Sequence, residues 1–91
     1  MKIIYREHAI QRMFERDISE NEIEEAIISG EKIESYPDDH PYPSFLVLKK
    51  GAKPLHVVYA INEEEGSYIV ITAYYPSLTQ WHADYSTRRK K

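Results

Sequence analysis

Hydrophobic residues recur at helical spacing before Gly30 and at alternate positions after it. In the first segment, four apolar side chains fall on one arc of a helical wheel drawn at about 100° per residue. They are Ala9, Ile10, Met13 and Phe14. The spacing predicts a helix over residues 7–15 that buries this arc, because good helix formers fill the segment and neither Gly nor Pro interrupts it.

A second helix is predicted to begin at Ser19. Ser19 and Glu22 have the spacing of a capping box, in which each residue satisfies a backbone N–H group at the start of the helix. Ile18 is placed to pack against Ile23 across this helix start. Gly30 marks the end of the helix, since glycine is common just beyond a last turn.

The rest of the chain has the period of about two residues that is typical of β-strands. Strands are predicted over residues 32–36, 45–49, 55–61 and 68–75. After Pro76, the spacing of Trp81, Tyr85 and Arg88 suits a short terminal helix or an ordered tail. We therefore expect a single α+β domain over residues 1–91, with two N-terminal helices packed on a four-stranded antiparallel sheet.

The length of the last hairpin loop decides which side chains share a face of the sheet. With five loop residues, 63–67, His56 lies opposite Tyr74 and shares its face with Thr72. With four loop residues, the register moves by one and His56 lies opposite Ala73. The five-residue loop brings an imidazole, a phenol and a hydroxyl group together.

Composition limits the chemistry. A length of 91 residues suits one domain. The absence of cysteine excludes disulfides, thiolate catalysis and cysteine-based metal sites. No apolar run approaches the roughly 20 residues of a membrane span. The first residues lack the apolar region of a signal peptide, so we expect a cytoplasmic protein that does not bind membranes.

The formal net charge of −3 gives no overall basic field for nucleic acid. The charge is unevenly distributed, however. Residues 1–40 carry a net −6, whereas residues 41–91 carry a net +3. A local basic surface is therefore compatible with an acidic chain.

Three residues form a stripe beside the apolar arc of the first helix. They are His8, Arg12 and Arg16, at positions i, i+4 and i+8. An imidazole and two permanent cations on one ridge suit an anion, in particular a phosphate. Surface ion pairs with nearby carboxylates such as Glu15 account for the two arginines equally well.

The later strands and the tail carry further candidates. His56 is either a satisfied, half-buried histidine or, with Tyr74 and Thr72, part of a proton-transfer site. Trp81, followed by the basic run 88–91, suits single-stranded RNA, although a Trp in a small domain also commonly fills the core. No His or carboxylate spacing reaches that of a metal site, so no metal is expected.

Several of these motifs together resemble a family of short prokaryotic proteins that is catalogued as a domain of unknown function, over about residues 5–89. They are His8-Ala9, Arg12-Met13, Arg16, Ile18-Ser19, Leu55-His56-Val57-Val58, Ile71-Thr72-Ala73-Tyr74, Pro76, Trp81 and Arg88-Arg89. That family is similar to RelE-like and barnase/EndoU/colicin-type ribonuclease toxins, in which N-terminal helices precede an antiparallel sheet.

The resemblance implies a metal-independent endoribonuclease toxin without a cofactor, acting on free or ribosome-bound RNA and partnered with a small zinc-finger antitoxin of the MqsA type. The RNA 2′-OH attacks its own phosphodiester, a reaction that needs a base, an acid and cations. By this resemblance the catalytic residues are His8, His56, Arg12 and Tyr74. The residues that bind RNA or its phosphates are Arg16, Thr72, Trp81, Arg88 and Arg89.

A second interpretation is a small non-catalytic module that uses the same groove to bind an acidic peptide, a protein or a nucleic acid without cleaving it. Catalysis requires His56, Tyr74 and Arg12 to reach a common anion at contacts of about 3 Å. Binding alone does not require this geometry. Whether these side chains lie on one face therefore separates the two interpretations.

Overall fold

The computed structural model describes residues 1–89, which form two helices and five strands. Their order is β1 (Lys2–Tyr5), α1 (Glu7–Arg16), α2 (Glu20–Ser29), β2 (Glu31–Tyr36), β3 (Ser44–Lys49), β4 (Leu55–Asn62) and β5 (Ser67–Tyr74). The spatial order of the sheet is β1-β5-β4-β3-β2. Only the β1–β5 pair is parallel among these strands. The α+β class is confirmed, but the sheet of the described part has five strands where four were predicted.

The additional strand, β1, pairs with the first half of β5, from Lys2 opposite Ser67 to Tyr5 opposite Val70. Four residues are too few for an alternating pattern to stand out, and parallel pairing with a distant segment leaves no local signal. The Arg6 N–H donates to the Val70 carbonyl at 3.2 Å before α1 begins. Beyond Val70, β5 has no strand partner on this side within the described residues.

Residues 76–89 form turns and one isolated bridge, between Trp81 and Arg88, where a short helix was one of two expectations. The His82 N–H donates to the Thr87 carbonyl at 2.8 Å, so the backbone pairs across a turn in place of helical hydrogen bonding. The ordered tail is therefore the correct alternative for this segment. The last two residues of the predicted basic run, 90 and 91, lie outside the described residues.

Helix α1 lies over β5, and α2 lies over β3 and β4, all on one face of the sheet. Ala9 and Met13 of α1 are buried as predicted. Ile10 and Phe14 were also expected in the core, but they are 55% and 89% exposed. The prediction was wrong for these two residues because α1 packs chiefly on one strand, β5, and buries only a narrow stripe.

Helix α2 begins with the predicted capping box. The Ser19 hydroxyl accepts the Glu22 N–H at 3.2 Å, and a Glu22 carboxylate oxygen accepts the Ser19 N–H at 2.8 Å. The helix ends at Gly30, whose backbone is extended with φ of −70°. Glycine is needed here for space, since a Cβ would overlap the carbonyl oxygen of Ala26.

The loop between β4 and β5 has four residues, 63–66, because Asn62 pairs directly with Ser67. The five-residue loop that the sequence favoured is therefore wrong. Taken alone, a four-residue loop would set His56 opposite Ala73.

A β-bulge in β5 restores the pairing of His56 with Tyr74. Tyr59 pairs with Val70, but the preceding residue of β4, Val58, pairs with Thr72. Ile71 is therefore an extra residue in β5, and it moves the register by one position. His56 and Tyr74 are therefore opposite each other as predicted, but the cause is the bulge and not the length of the hairpin loop.

Candidate functional site

The candidate site lies on the sheet face that points away from both helices, which we call the helix-free face. Side chains alternate between the two faces along a strand. Val57 of β4 belongs to the core beneath the helices, so the neighbouring His56 belongs to the opposite face. Residues 76–89 cross part of the helix-free face and bring Trp81 against His56.

His56 is fully buried, and both of its ring nitrogens are hydrogen-bonded. Nε2 lies 2.7 Å from the carbonyl oxygen of Tyr85, and Nδ1 lies 3.1 Å from the hydroxyl of Tyr74. A carbonyl only accepts, so we assign the proton of the neutral ring to Nε2. Nδ1 is then an acceptor, and the Tyr74 hydroxyl donates to it.

Burial sets the charge of both members of this pair. It lowers the pKa of His56 below the ordinary value of 6.5, because a charged ring loses its hydration. Burial also raises the pKa of Tyr74, and the positive charges of Arg88 and Arg16 offset part of that rise. At neutral pH the pair is therefore an uncharged imidazole that accepts the proton of an un-ionised phenol.

Trp81 is a packing residue in this arrangement. It is 1% exposed, and its ring meets the His56 ring edge-on with centroids 4.5 Å apart. The Arg88 guanidinium lies 4.6 Å from the Trp81 ring centroid. Arg89 donates to the Trp81 carbonyl at 3.0 Å and thereby holds the tail in place. Trp81 braces the helix-free face and presents no free ring to a ligand.

An ion pair from the edge strand β2 adjoins this cluster. The Arg88 guanidinium donates to both oxygens of Glu34, at 2.8 and 3.0 Å. The Tyr36 hydroxyl donates to the same carboxylate. These contacts, chiefly the hydrogen bonds from Arg88, lower the pKa of Glu34 and keep it ionised. The predicted RNA-binding Arg88 is thus occupied by a carboxylate of the same chain.

Arg16 is the member of the predicted cationic stripe that lines a cavity together with Tyr74. Its guanidinium donates to the Ala73 carbonyl at 2.9 Å, at the part of β5 that β1 does not cover. A cavity of about 450 Å³ opens there, which we call the Arg16 cavity. It is lined by Arg16, Tyr74, Tyr75, Ser77 and Gln80. A permanently charged residue and the tyrosine of the His56–Tyr74 pair therefore line one cavity.

The other members of the stripe lie elsewhere. Arg12 pairs with Glu15 at 2.9 Å, as the alternative interpretation of the sequence expected. It does not line the Arg16 cavity, so the expected convergence of Arg12 with His56 and Tyr74 is not found and Arg16 is the arginine beside Tyr74. His8 is an exposed residue of α1 and does not line the Arg16 cavity. The register places Thr72 opposite Val58 on the helix-free face, two residue pairs along the strands from His56 and Tyr74.

Five residues of this region were not singled out from the sequence: Glu34, Tyr36, Tyr75, Ser77 and Gln80. Glu34 and Tyr36 are two residues apart on a strand that the sequence did predict, so they share a face of that strand. This shared face was a usable signal. The other three residues gave no such signal, because the turn after β5 brings them beside Arg16.

The described part of the chain contains no group of three or more His, Asp or Glu residues arranged to hold a metal ion. Residues 1–89 likewise include no helix with the length and apolar character needed to cross a membrane.

These features define a small α+β domain with an arginine-lined cavity beside a Tyr–His pair. The chain belongs to the family described as Domain of unknown function (DUF4258), which it matches over residues 5–75. Arg16, His56 and Tyr74 lie within the matched region, whereas Trp81 and Arg88 lie beyond it. The comparisons with curated proteins and with solved structures gave no match. A relationship to ribonuclease toxins stays a prediction.

Proposed function

We propose that this protein is a metal-independent endoribonuclease in which Tyr74 and His56 form the base and Arg16 binds the scissile phosphate. One observation carries the proposal. The Tyr74 hydroxyl donates to His56 Nδ1 at 3.1 Å, and Tyr74 lines the same cavity as Arg16. A hydroxyl backed by a neutral imidazole and set beside a cation suits attack on a phosphodiester.

The reaction would move one proton along the pair. The RNA 2′-OH gives its proton to the Tyr74 oxygen while Tyr74 gives its own proton to His56 Nδ1. The 2′-oxygen forms a bond to phosphorus as the bond from phosphorus to the 5′-oxygen breaks. That 5′-oxygen takes a proton from water, and His56 later returns its proton to solvent through Tyr74.

Three residues around the Tyr74–His56 pair would support the reaction. The Tyr85 carbonyl fixes the His56 tautomer, so that Nδ1 always faces Tyr74. Arg16 is held by the Ala73 carbonyl and neutralises the charge that develops on the phosphate oxygens. Trp81 packs on the ring of His56 and keeps it in place.

The test is cleavage of a mixed-sequence RNA by the purified protein in the presence of EDTA, with the new ends identified by mass spectrometry. The proposal expects ends with a 2′,3′-cyclic phosphate. Tyr74→Phe keeps the ring and removes the proton-carrying oxygen, so the cleavage rate should fall by about 100-fold or more.

Tyr68→Phe is the matched control, because Tyr68 is another half-buried tyrosine of β5 that stacks on Tyr59 away from His56. This variant should cleave like the unmodified protein. Equal cleavage by Tyr74→Phe and Tyr68→Phe would mean that a contaminant or another site acts, and the proposal would be abandoned.

A second candidate function is binding of RNA or a protein without cleavage. The complete burial of His56 favours it, because both ring nitrogens already have partners within the chain. Under this function, RNA binds with the same affinity to the unmodified protein and to Tyr74→Phe, and no new ends form with or without ribosomes.

A toxin role follows from the endoribonuclease proposal together with the resemblance to ribonuclease toxins. Expression in a bacterial host should then arrest growth, and Tyr74→Phe should relieve the arrest. A small zinc-finger protein is the proposed antitoxin. Growth arrest that persists in Tyr74→Phe would separate toxicity from the chemistry proposed here.

A further inference from the structure

A second cavity, of about 610 Å³, lies on the helix-free face and is not used by the proposed mechanism. Val58 and Ile71 line it from the sheet, and Tyr36 and Pro37 line it from β2 and the loop that follows. Ile71 is the extra residue of the bulge. The lining therefore combines aliphatic side chains with an aromatic ring and a proline ring, which suits a flat, uncharged ligand.

The two cavities differ in charge. The Arg16 cavity contains a permanent cation, whereas the second cavity is bordered by Asp38 and Asp39. Asp39 accepts the Ser44 hydroxyl at 2.7 Å and the His40 N–H at 3.0 Å. A carboxylate has about four acceptor positions, so Asp39 still has capacity for a ligand N–H group. A phosphate is repelled here, while a ring that donates hydrogen bonds is favoured.

The spacing of the cavities matches a single ligand with two parts. Ile71 of the second cavity is three residues from Tyr74 of the Arg16 cavity along β5, which is about 10 Å at a rise of about 3.3 Å per residue. A phosphate beside Arg16 and a ring beside Ile71 are therefore within one molecule's reach.

We infer that the second cavity binds a nucleobase that carries an exocyclic amino group, with its ring against Tyr36 and Ile71 and its amino group donating to Asp39. The inference rests on the proposed function only in placing the phosphate at Arg16. It adds a preference to that function: adenine, cytosine or guanine is accepted at this position, and uracil is disfavoured.

The experiment is isothermal titration of the full chain with three probes: inorganic phosphate, cytidine 3′-monophosphate and uridine 3′-monophosphate. The two nucleotides have the same ring size, but cytosine has an amino group at C4 and an acceptor at N3 where uracil has a carbonyl and an N–H. The uracil N–H lies between two carbonyl oxygens, which the Asp39 carboxylate repels, so it is the weaker donor to this site. We expect the cytidine nucleotide to bind about tenfold more tightly than either other probe, the order of a hydrogen bond to a charged acceptor. Equal affinity for the two nucleotides, or for the cytidine nucleotide and phosphate, would overturn the inference.

Two variants locate the binding. Ile71→Trp fills the second cavity, so the advantage of the cytidine nucleotide over phosphate should disappear while phosphate affinity stays unchanged. Asp39→Asn leaves the cavity open and supplies a donor to the uracil carbonyl, so the preference for cytidine should shrink to within about twofold. Thermal unfolding shows whether each variant is folded. If Ile71→Trp does not fold, the nucleotide preference of Asp39→Asn alone tests the inference. If a folded variant keeps the full preference for the cytidine nucleotide, the nucleotide binds elsewhere and the inference is overturned.

The outcome is separable from that of the proposed function, because binding is measured without cleavage. A cytidine preference that both variants remove, in a protein that leaves RNA intact, keeps the nucleobase site and rejects the nuclease. RNA cleavage without a preference for cytidine keeps the nuclease and rejects the nucleobase site.

Discussion

The hydroxyl of Tyr75 donates a hydrogen bond to Glu22 at 2.9 Å, while the other carboxylate oxygen of Glu22 accepts the Ser19 N–H. One carboxylate therefore caps α2 and ties that helix to the residue just after β5. The hydrogen bonds, first the one from the Ser19 backbone, lower the pKa of Glu22. Burial and the bond to Glu22 raise the pKa of Tyr75 to about 12. Tyr75 also lines the Arg16 cavity, so this contact fixes one wall of the candidate site.

Removing either partner of Glu22 should destabilise the protein. Tyr75→Phe and Ser19→Ala are each expected to lower the free energy of unfolding by about 1 kcal/mol, through a lost hydrogen bond and a lost cap respectively. Because both partners bond one carboxylate, the loss of unfolding free energy in the double variant should differ from the sum of the losses in the two single variants. Urea denaturation of the three variants measures this coupling, and strict additivity would mean that the two contacts act independently.

Neighbouring residues of α1 should differ sharply when truncated. Met13 is 8% exposed and Phe14 is 89% exposed. Met13→Ala is expected to cost about 2–5 kcal/mol because it leaves a cavity in the core. Phe14→Ala should change stability by no more than about 0.5 kcal/mol. Chemical denaturation compares them, and a larger loss in Phe14→Ala would show that the helix is rotated from the orientation described.

Stability should fall in mild acid because of His56. Burial lowers its folded pKa below 6.5, so the unfolded chain takes up a proton first as the pH decreases. The contribution of neutral His56 is complete above pH 6.5 and is lost as the pH falls toward the folded pKa. Glu22 and Glu34, whose pKa values are lowered from 4.5, act only at more acidic pH.

Thermal unfolding between about pH 7 and pH 5 measures this effect, a window set by the ordinary histidine value. His56→Gln is expected to flatten the dependence on pH. His82→Gln is the control, since His82 is an exposed histidine of the tail, and it should keep the slope of the unmodified protein. A slope that survives in His56→Gln would assign the acid sensitivity to other groups.

Local signals account for the elements that the sequence predicted well. The start of α2 was predictable in detail, because Ser19 and Glu22 form their hydrogen bonds within one turn. Strand β4 was predictable because eight residues alternate long enough to define its faces. Strand β1 was missed because its stability comes from pairing with β5, which lies far away in the sequence.

The candidate site depended on tertiary placement, so only part of it was predictable. The sequence singled out His56 and Tyr74, but their pairing depends on a bulge with no distinctive residue at Ile71. It grouped Arg12 with Arg16, whereas the rotation of α1 on β5 sends only Arg16 to the Ala73 carbonyl. Trp81 and Tyr85 reach His56 because the tail folds back over the sheet, which spacing along the chain does not encode.

The pairing of His56 with Tyr74 tolerates a change in where the surplus residue between them is accommodated. Deleting Ile71 alone should leave Tyr74 opposite His56, because the Tyr59–Val70 and Val58–Thr72 pairs then follow each other in a regular ladder. Moving the surplus residue into the turn, by deleting Ile71 and inserting one glycine after Gly66, should keep the same pair. Evolution of this hairpin can therefore trade turn length against strand irregularity while keeping the same two side chains in contact.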